Sequence, residues 1–180
     1  GRPKRTERLL KAASELAESL GQPHARGLAT FAGGVAAFYQ GRFGAARDGC
    51  ERAEAIFREQ CVGVAWEINT AVTYSLASLF YLGAARELAQ RVPLHLSEAR
   101  DRGDLYAAVE FATGRSVVAW LVGDQAARAR GEIAEAMRPW SRRGFHSQHF
   151  WGLVARVYLE LYAGDGQTAW GLLEESWPEI

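Results

Sequence analysis

The chain has 180 residues, of which 48% are apolar and 23% charged, and its 21 basic side chains are balanced by 21 acidic ones. This composition is that of a folded globular chain and excludes a disordered one. The net charge of zero argues against a nucleic-acid-binding surface, which depends on an excess of lysine and arginine. No apolar run reaches the roughly 20 residues of a membrane span, so we expect no membrane partner.

The number of cysteines indicates a cellular compartment, and the proportions of residue types indicate a fold class. Cys50 and Cys61 are too few for a disulfide framework and lack the spacing of a zinc site, which favours a reducing compartment and predicts a cytoplasmic protein. Alanine and leucine far outnumber the β-branched residues, and this balance is typical of helices. We therefore predict an all-α fold.

The first predicted element is a leading helix over residues 4–20, whose apolar residues recur at helical spacing. After it, glycine recurs with a period of 40 to 42 residues, which indicates a repeat protein. Two such ladders run through the chain, offset by 20 residues: Gly21, Gly63, Gly103 and Gly144, then Gly41, Gly83, Gly123 and Gly164. Because glycine readily adopts the left-handed conformation that ends many helices, each ladder glycine predicts a helix end.

The ladders divide the rest of the chain into four helical hairpins, each made of a first helix A and a second helix B. The hairpins are predicted over 23–60, 65–101, 105–142 and 147–177. The A helices are predicted over 23–40, 65–82, 105–122 and 147–163, and the B helices over 43–60, 85–101, 125–142 and 166–177. Pro93 is expected to kink or break the second B helix, because proline lacks an N–H and clashes with the preceding turn. A bulky apolar pair precedes each glycine of the second ladder, as in Trp120-Leu121, and we expect these pairs to be buried.

The turn after the first A helix, residues 41–46, has the order of glycine, aromatic and small residues found in a tetratricopeptide (TPR) repeat. The period exceeds the 34 residues of that repeat, so the helices are longer. Hairpins of this kind bury their apolar faces by stacking, which predicts a single TPR-like superhelix over residues 1–180. The chain begins on an unpaired B-type helix and ends without a polar capping helix, as expected for a segment of a longer multidomain protein.

Few residues suggest catalysis or metal binding. His146 and His149 are three residues apart and would share one helix face, but no third ligand accompanies them, so we predict no metal site. Residues 164–169 have the outline of a dinucleotide-binding loop, but a helix precedes them where such a loop needs a strand. Since no nucleophile motif, zinc-protease motif or phosphate-binding loop occurs, we predict no enzymatic activity and no cofactor.

Three blocks of the chain carry a resemblance to a known family: Phe57–Glu67, Arg102–Ala107 and Trp140–His146. They resemble the C-terminal TPR-like region of large bacterial multidomain serine/threonine protein kinases. The kinase signature motifs are absent from this chain, so the resemblance implies a regulatory region whose kinase activity would belong to the parent protein. Similar superhelices occur in large ATP-dependent transcriptional activators, which leaves a second parentage open.

We therefore expect a non-enzymatic protein–protein interaction or sensor module. Its concave groove would bind a protein or peptide, including the parent's own catalytic domain, or a small effector, and would regulate an attached signalling domain. The groove-facing positions, carried over from the TPR phase, are Leu28, Phe31, Thr70, Thr73, Glu110, Thr113, Trp151 and Val154. Its polar members favour an accessible surface, because a buried core prefers hydrocarbon. The alternative is a structural spacer or oligomerisation segment with an empty groove.

Overall fold

A computed structural model describes residues 3–141 and 143–180, and within those ranges the chain forms helices and no strand. The predicted all-α fold class is confirmed. None of the helices in these ranges is long and apolar enough to cross a membrane. The chain divides into two compact units, the first ending at Leu82 and the second beginning at Gly83.

The first unit holds four helices: α1 (Pro3–Leu20), α2 (Pro23–Tyr39), α3 (Phe43–Gln60) and α4 (Ala65–Tyr81). Helices α2 and α3 cross at Gly34 and Gly49, where a Cβ built on Gly49 would lie 2.9 Å from the Cα of Gly34. This close approach needs residues without side chains on both helices. Below the crossing, Phe57 is fully buried in a core cluster that Phe31 also contacts.

The second unit begins with α5 (Ala85–Asp101) and α6 (Leu105–Ala112), followed by a 3₁₀ turn over Gly114–Val117 and a short α7 (Val118–Leu121). Three further helices complete it: α8 (Ala126–Met137), α9 (Ser147–Tyr162) and α10 (Gly166–Ser176), the last continuing into a 3₁₀ turn over Trp177–Glu179. Helix α9 packs between α8 and α10 and also contacts the 3₁₀ turn after α6.

Seven of the eight ladder glycines follow a helix end within three residues, as predicted, but Gly144 lies seven residues after α8 ends at Met137. Seven of the eight ladder glycines have a left-handed φ between 63° and 82°. At the eighth position the left-handed residue is Asp124 (φ 54°) and not its neighbour Gly123. Aspartate tolerates this conformation better than most residues, and here its Oδ1 also accepts a hydrogen bond of 2.9 Å from the hydroxyl of Tyr162.

The third A helix is not continuous over 105–122, so that prediction is wrong. Thr113 is extended (φ −120°, ψ −172°) and Gly114 is left-handed (φ 58°), so α6 ends at Ala112, ten residues before the predicted end at 122. A Cβ on Gly114 would lie 3.1 Å from the ring of Trp151, so α9 approaches the backbone closely at this break. The left-handed conformation of Gly114 therefore ends the helix, although the apolar residues around it recur at helical spacing.

Two further outcomes concern prolines. Helix α5 spans Ala85–Asp101 as predicted and is not broken at Pro93, because Leu88, Val92 and Leu96 are buried on both sides of the proline and hold the two halves in place. The third B helix, predicted over 125–142, ends at Met137, since Pro139 has no N–H with which to continue the helical hydrogen bonds. Residue 142, the predicted end of that hairpin, lies outside the described residues.

Candidate functional site

The predicted groove residues of the first unit lie on α2 and α4. Leu28 is 38% exposed, whereas Phe31 is half-buried and packs edge-on against Tyr74 with ring centroids 5.9 Å apart. Thr70 and Thr73 are half-buried, and each hydroxyl donates to a backbone carbonyl one turn earlier on α4, at 2.7 and 3.0 Å. Their hydroxyls are thus satisfied within the helix, so the polarity of these two positions does not itself require a ligand.

The predicted groove residues of the second unit behave differently from one another. Thr113 is 1% exposed and its hydroxyl donates to the carbonyl of Val109 at 2.7 Å, so its assignment to an accessible groove is wrong. Glu110 is half-buried, and burial raises the pKa of its carboxyl while the charge of Arg115 opposes that rise. Trp151 is half-buried under the guanidinium of Arg115, which lies 5.0 Å from the ring centroid.

Val154, the remaining predicted groove residue, is half-buried on α9 three residues after Trp151. The two therefore lie on the same side of that helix. Trp151 supports the break after α6, because its ring contacts the position where a side chain at Gly114 would stand. The predicted groove residues of the second unit therefore form a packed region around the break after α6, and not an open groove.

An accessible aromatic surface does exist on the A helices of the first unit, at positions that the sequence analysis did not select. We call it the tyrosine surface and define it as Phe38 and Tyr39 of α2 with Tyr74 and Tyr81 of α4. Tyr39 is 75% exposed and Tyr81 45% exposed. The hydroxyls of Tyr39 and Tyr74 are 3.1 Å apart and hydrogen-bonded.

The rings of the tyrosine surface form a continuous network. Phe38 packs edge-on against Tyr74 at 5.2 Å and against Tyr81 at 5.7 Å, and Tyr81 also stacks on Phe43 at 4.6 Å. A sequence signal for it was present: Phe31 and Phe38 are seven residues apart, and so are Tyr74 and Tyr81, so each pair shares one helix face. Two aromatic pairs with the same seven-residue spacing on successive A helices predict one shared surface.

The apolar pairs before the second glycine ladder were expected to be buried, and for three of the four this is wrong. Only Trp120-Leu121 is buried, at 3% and 8% exposure. Tyr39 and Tyr81 are the outward members of their pairs, and both residues of Leu161-Tyr162 are exposed. The exposed members of the first two pairs are half of the tyrosine surface.

A second feature lies in the second unit, and we call it the α8–α9 cleft. Its volume is about 590 Å³. Helix α8 forms one wall, α9 forms the floor, and Ser176 at the end of α10 closes part of the opposite side. The residues that line it are Arg130, Ile133, Ala134, Met137, Phe145, His149, Gly152, Leu153, Arg156, Leu159, Glu160 and Ser176.

The charged groups of the α8–α9 cleft are not equivalent. Arg130 Nη2 donates to both carboxylate oxygens of Glu160, at 2.8 and 2.9 Å, and joins α8 to α9. Arg156 has no ionic or hydrogen-bonding partner within residues 3–141 and 143–180. At the other end of the cleft, His149 Nδ1 accepts a hydrogen bond of 3.0 Å from the backbone N–H of His146 and so caps α9.

His146 and His149, which the sequence suggested as a weak pair of metal ligands, are therefore parts of a helix cap. Their rings stack with centroids 5.5 Å apart. Among the residues that the structure describes, no group of three or more histidine, cysteine, aspartate or glutamate side chains could hold a metal ion. Since a backbone N–H can only donate, neutral His149 carries its proton on Nε2.

Comparison of the chain with protein-family models, with curated proteins and with solved structures gives no match. The kinase-region resemblance of the repeat-turn blocks is therefore a hypothesis from the residues alone. The tyrosine surface and the α8–α9 cleft are the accessible features from which a function is argued below.

Proposed function

We propose that this chain is a non-enzymatic interaction or sensor module that binds a partner protein, a peptide or a small effector and regulates an attached signalling domain. By resemblance, that domain is the catalytic domain of a bacterial, cytoplasmic serine/threonine protein kinase. The fold that we propose for the module is a TPR-like superhelix. The repeated phase of its hairpins and the left-handed glycine at seven of the eight ladder positions support that assignment.

The observation that carries the proposal is the tyrosine surface. Tyr39 and Tyr81 are exposed beside the half-buried rings of Phe38 and Tyr74, and exposed apolar clusters on a protein surface commonly mark interaction sites. Tyrosine is enriched at interfaces because it offers a large contact area with little loss of conformational entropy, and its hydroxyl still finds partners in water. The hydrogen bond between Tyr39 and Tyr74 holds two of these rings in place before any partner arrives.

The packing behind the surface also suits binding. Phe38 and Phe43 hold Tyr81 by edge-on and stacked contacts, so a partner would meet rings that are already ordered. A preformed surface of this kind loses less conformational entropy on association than a surface that becomes ordered only on binding. The rings that are most exposed, Tyr39 and Tyr81, are therefore the expected centre of the interface.

The test is a calorimetric titration of the purified chain with the catalytic domain of its parent protein. Tyr39→Ala and Tyr81→Ala are expected to weaken binding about fivefold or more each, as for residues at the centre of an interface. The matched control is Trp170→Ala, which removes a 62% exposed aromatic side chain on α10 that is not part of the tyrosine surface. Unchanged affinity in both tyrosine variants would remove this surface from the proposal.

Two further measurements separate the alternatives. Sedimentation at several concentrations detects an oligomerisation segment, and self-association that Tyr39→Ala abolishes would replace partner binding by that function. Incubation with labelled ATP and a generic substrate protein is expected to give neither hydrolysis nor phosphate transfer. Phosphate transfer by the purified chain would overturn the non-enzymatic assignment.

A further inference from the structure

The α8–α9 cleft has the length and volume of a small-molecule site. Six of its lining residues lie on α9, from His149 to Glu160, and their spacing places them in one stripe along the helix. At a rise of about 1.5 Å per residue, that stripe is about 16 Å long. The cleft volume of about 590 Å³ lies within the range of known ligand pockets. The shape fits an elongated ligand that lies along α9.

The middle of the cleft is hydrocarbon. Ile133 and Met137 of α8 face Leu153 of α9, and Phe145 adds a ring near the His149 end. Gly152 keeps α8 and α9 close, because a Cβ at that position would lie 3.3 Å from the sulfur of Met137. A ligand that covers this floor must have an apolar body, since removing the floor from water is the main gain on binding.

The charge of the cleft is concentrated at one end. Arg130 is neutralised by Glu160, whereas the guanidinium of Arg156 has no partner in the described part of the chain. Arg156 is exposed at the rim and one turn before Glu160 on α9. One uncompensated guanidinium beside an apolar floor matches a ligand with a single negative charge. A dianion fits less well, because Glu160 would repel the second charge.

We propose that the α8–α9 cleft binds a small elongated carboxylate, an alkanoate or arylalkanoate, with its carboxylate on Arg156 and its apolar body along Ile133 and Leu153. A guanidinium binds a carboxylate through two parallel hydrogen bonds, which a point charge cannot do. The Nε2–H of His149, two turns away, is a second donor for a polar group at the far end of a longer ligand. This inference rests on the proposed function, for which it supplies the class of small effector and its site.

The test uses octanoate and 4-phenylbutanoate as probes, with 1-octanol and octylammonium as neutral and cationic counterparts of the first. Calorimetric titration at millimolar concentration is expected to show binding of the two carboxylates, with 1-octanol about tenfold weaker and octylammonium weaker still. Arg156→Gln is expected to weaken carboxylate binding roughly tenfold or more, because it removes charge-assisted hydrogen bonds. It should leave 1-octanol within about twofold of its original affinity.

Two variants serve as controls. Arg86→Gln removes an exposed arginine on α5 outside the cleft and is expected to change no affinity. Ala134→Trp places a large ring at an exposed lining position and is expected to block carboxylates and 1-octanol alike. Circular dichroism of each variant checks that it remains folded, and Arg156 and Ala134 are exposed, so neither change disturbs the core.

The proposal is overturned if neither carboxylate binds, if Arg156→Gln binds them normally, or if octylammonium binds as well as octanoate. Its failure can be distinguished from failure of the partner-binding function by Tyr39→Ala. That variant should bind octanoate normally while losing the partner, since the tyrosine surface and the cleft share no residue. Loss of octanoate binding alone would leave the interaction module intact.

Discussion

The crossing of α2 and α3 can be tested by adding one methyl group at Gly34. A Cβ there would lie 2.8 Å from the sulfur of Cys50, 3.0 Å from its backbone nitrogen and 3.2 Å from the carbonyl oxygen of Ala46. Two of these three atoms belong to the backbone of α3 and cannot rotate away. The hairpin that presents Phe38 and Tyr39 would have to open for Gly34→Ala to fit.

The size of the effect follows from two opposing terms. Alanine in place of glycine in a helix interior gains about 0.5 to 1 kcal/mol, because it restricts the unfolded chain. Overpacking a tight contact costs about 1 to 3 kcal/mol, and the backbone partners place Gly34 in the upper part of that range. We therefore expect Gly34→Ala to lower the free energy of unfolding by about 1 to 2 kcal/mol.

The neighbouring Gly33 provides a matched control. It lies on the same helix, and a Cβ built on it meets nothing within 4 Å. Gly33→Ala should therefore raise stability by about 0.5 to 1 kcal/mol. Urea unfolding followed by circular dichroism at 222 nm measures both variants. Equal stability of Gly33→Ala and Gly34→Ala would show that the two helices do not approach as closely as described.

Three other changes probe the second unit and the thiols. Trp120→Ala should cost about 3 to 5 kcal/mol in urea unfolding, and Trp120→Phe clearly less, because the buried indole N–H has no hydrogen-bond partner in the structure to lose; similar losses for both would contradict this. Ellman's reagent should modify only Cys61 in the folded chain and both cysteines in denaturant, since burial and the charge of Glu51 raise the pKa of Cys50 to about 12. Burial raises the pKa of Glu110, so its ionisation destabilises the fold as pH rises through that pKa; Glu110→Gln should therefore stabilise the chain at pH 7 and not at pH 4, and a gain of equal size at both would refute the argument.

Much of the helical framework could be predicted because one signal repeats. A ladder glycine ends its helix through its own backbone freedom, so its meaning does not depend on distant residues. The break at Thr113 could not be predicted in this way. It depends on the ring of Trp151 approaching Gly114 from another helix, and that contact is invisible in local spacing. Pro93 shows the opposite case, in which burial on both sides preserves a helix that its sequence argues against.

The candidate site was predicted less well, for a physical reason. Thr70 and Thr73 were selected because they are polar, but a threonine in a helix can satisfy its hydroxyl on the preceding turn. Polarity alone therefore overstates accessibility. Tyr39 and Tyr81 were assigned to the interior because they are large and partly apolar, although tyrosine commonly lies at a surface. The α8–α9 cleft depends on the approach of two helices, which no single stretch of sequence reveals.

The hydrogen bond between Asp124 and Tyr162 has a consequence for how the second unit can deform. Together with the ion pair of Arg130 and Glu160, it fastens the start of α8 to the end of α9. At the opposite end of the two helices, the contact of Met137 with Gly152 is apolar and carries no directional bond. The two helices are thus fixed to each other at one end only. We expect any widening of the cleft to begin beside Met137, with Asp124 as the hinge. A longer ligand would then enter from the Met137 end.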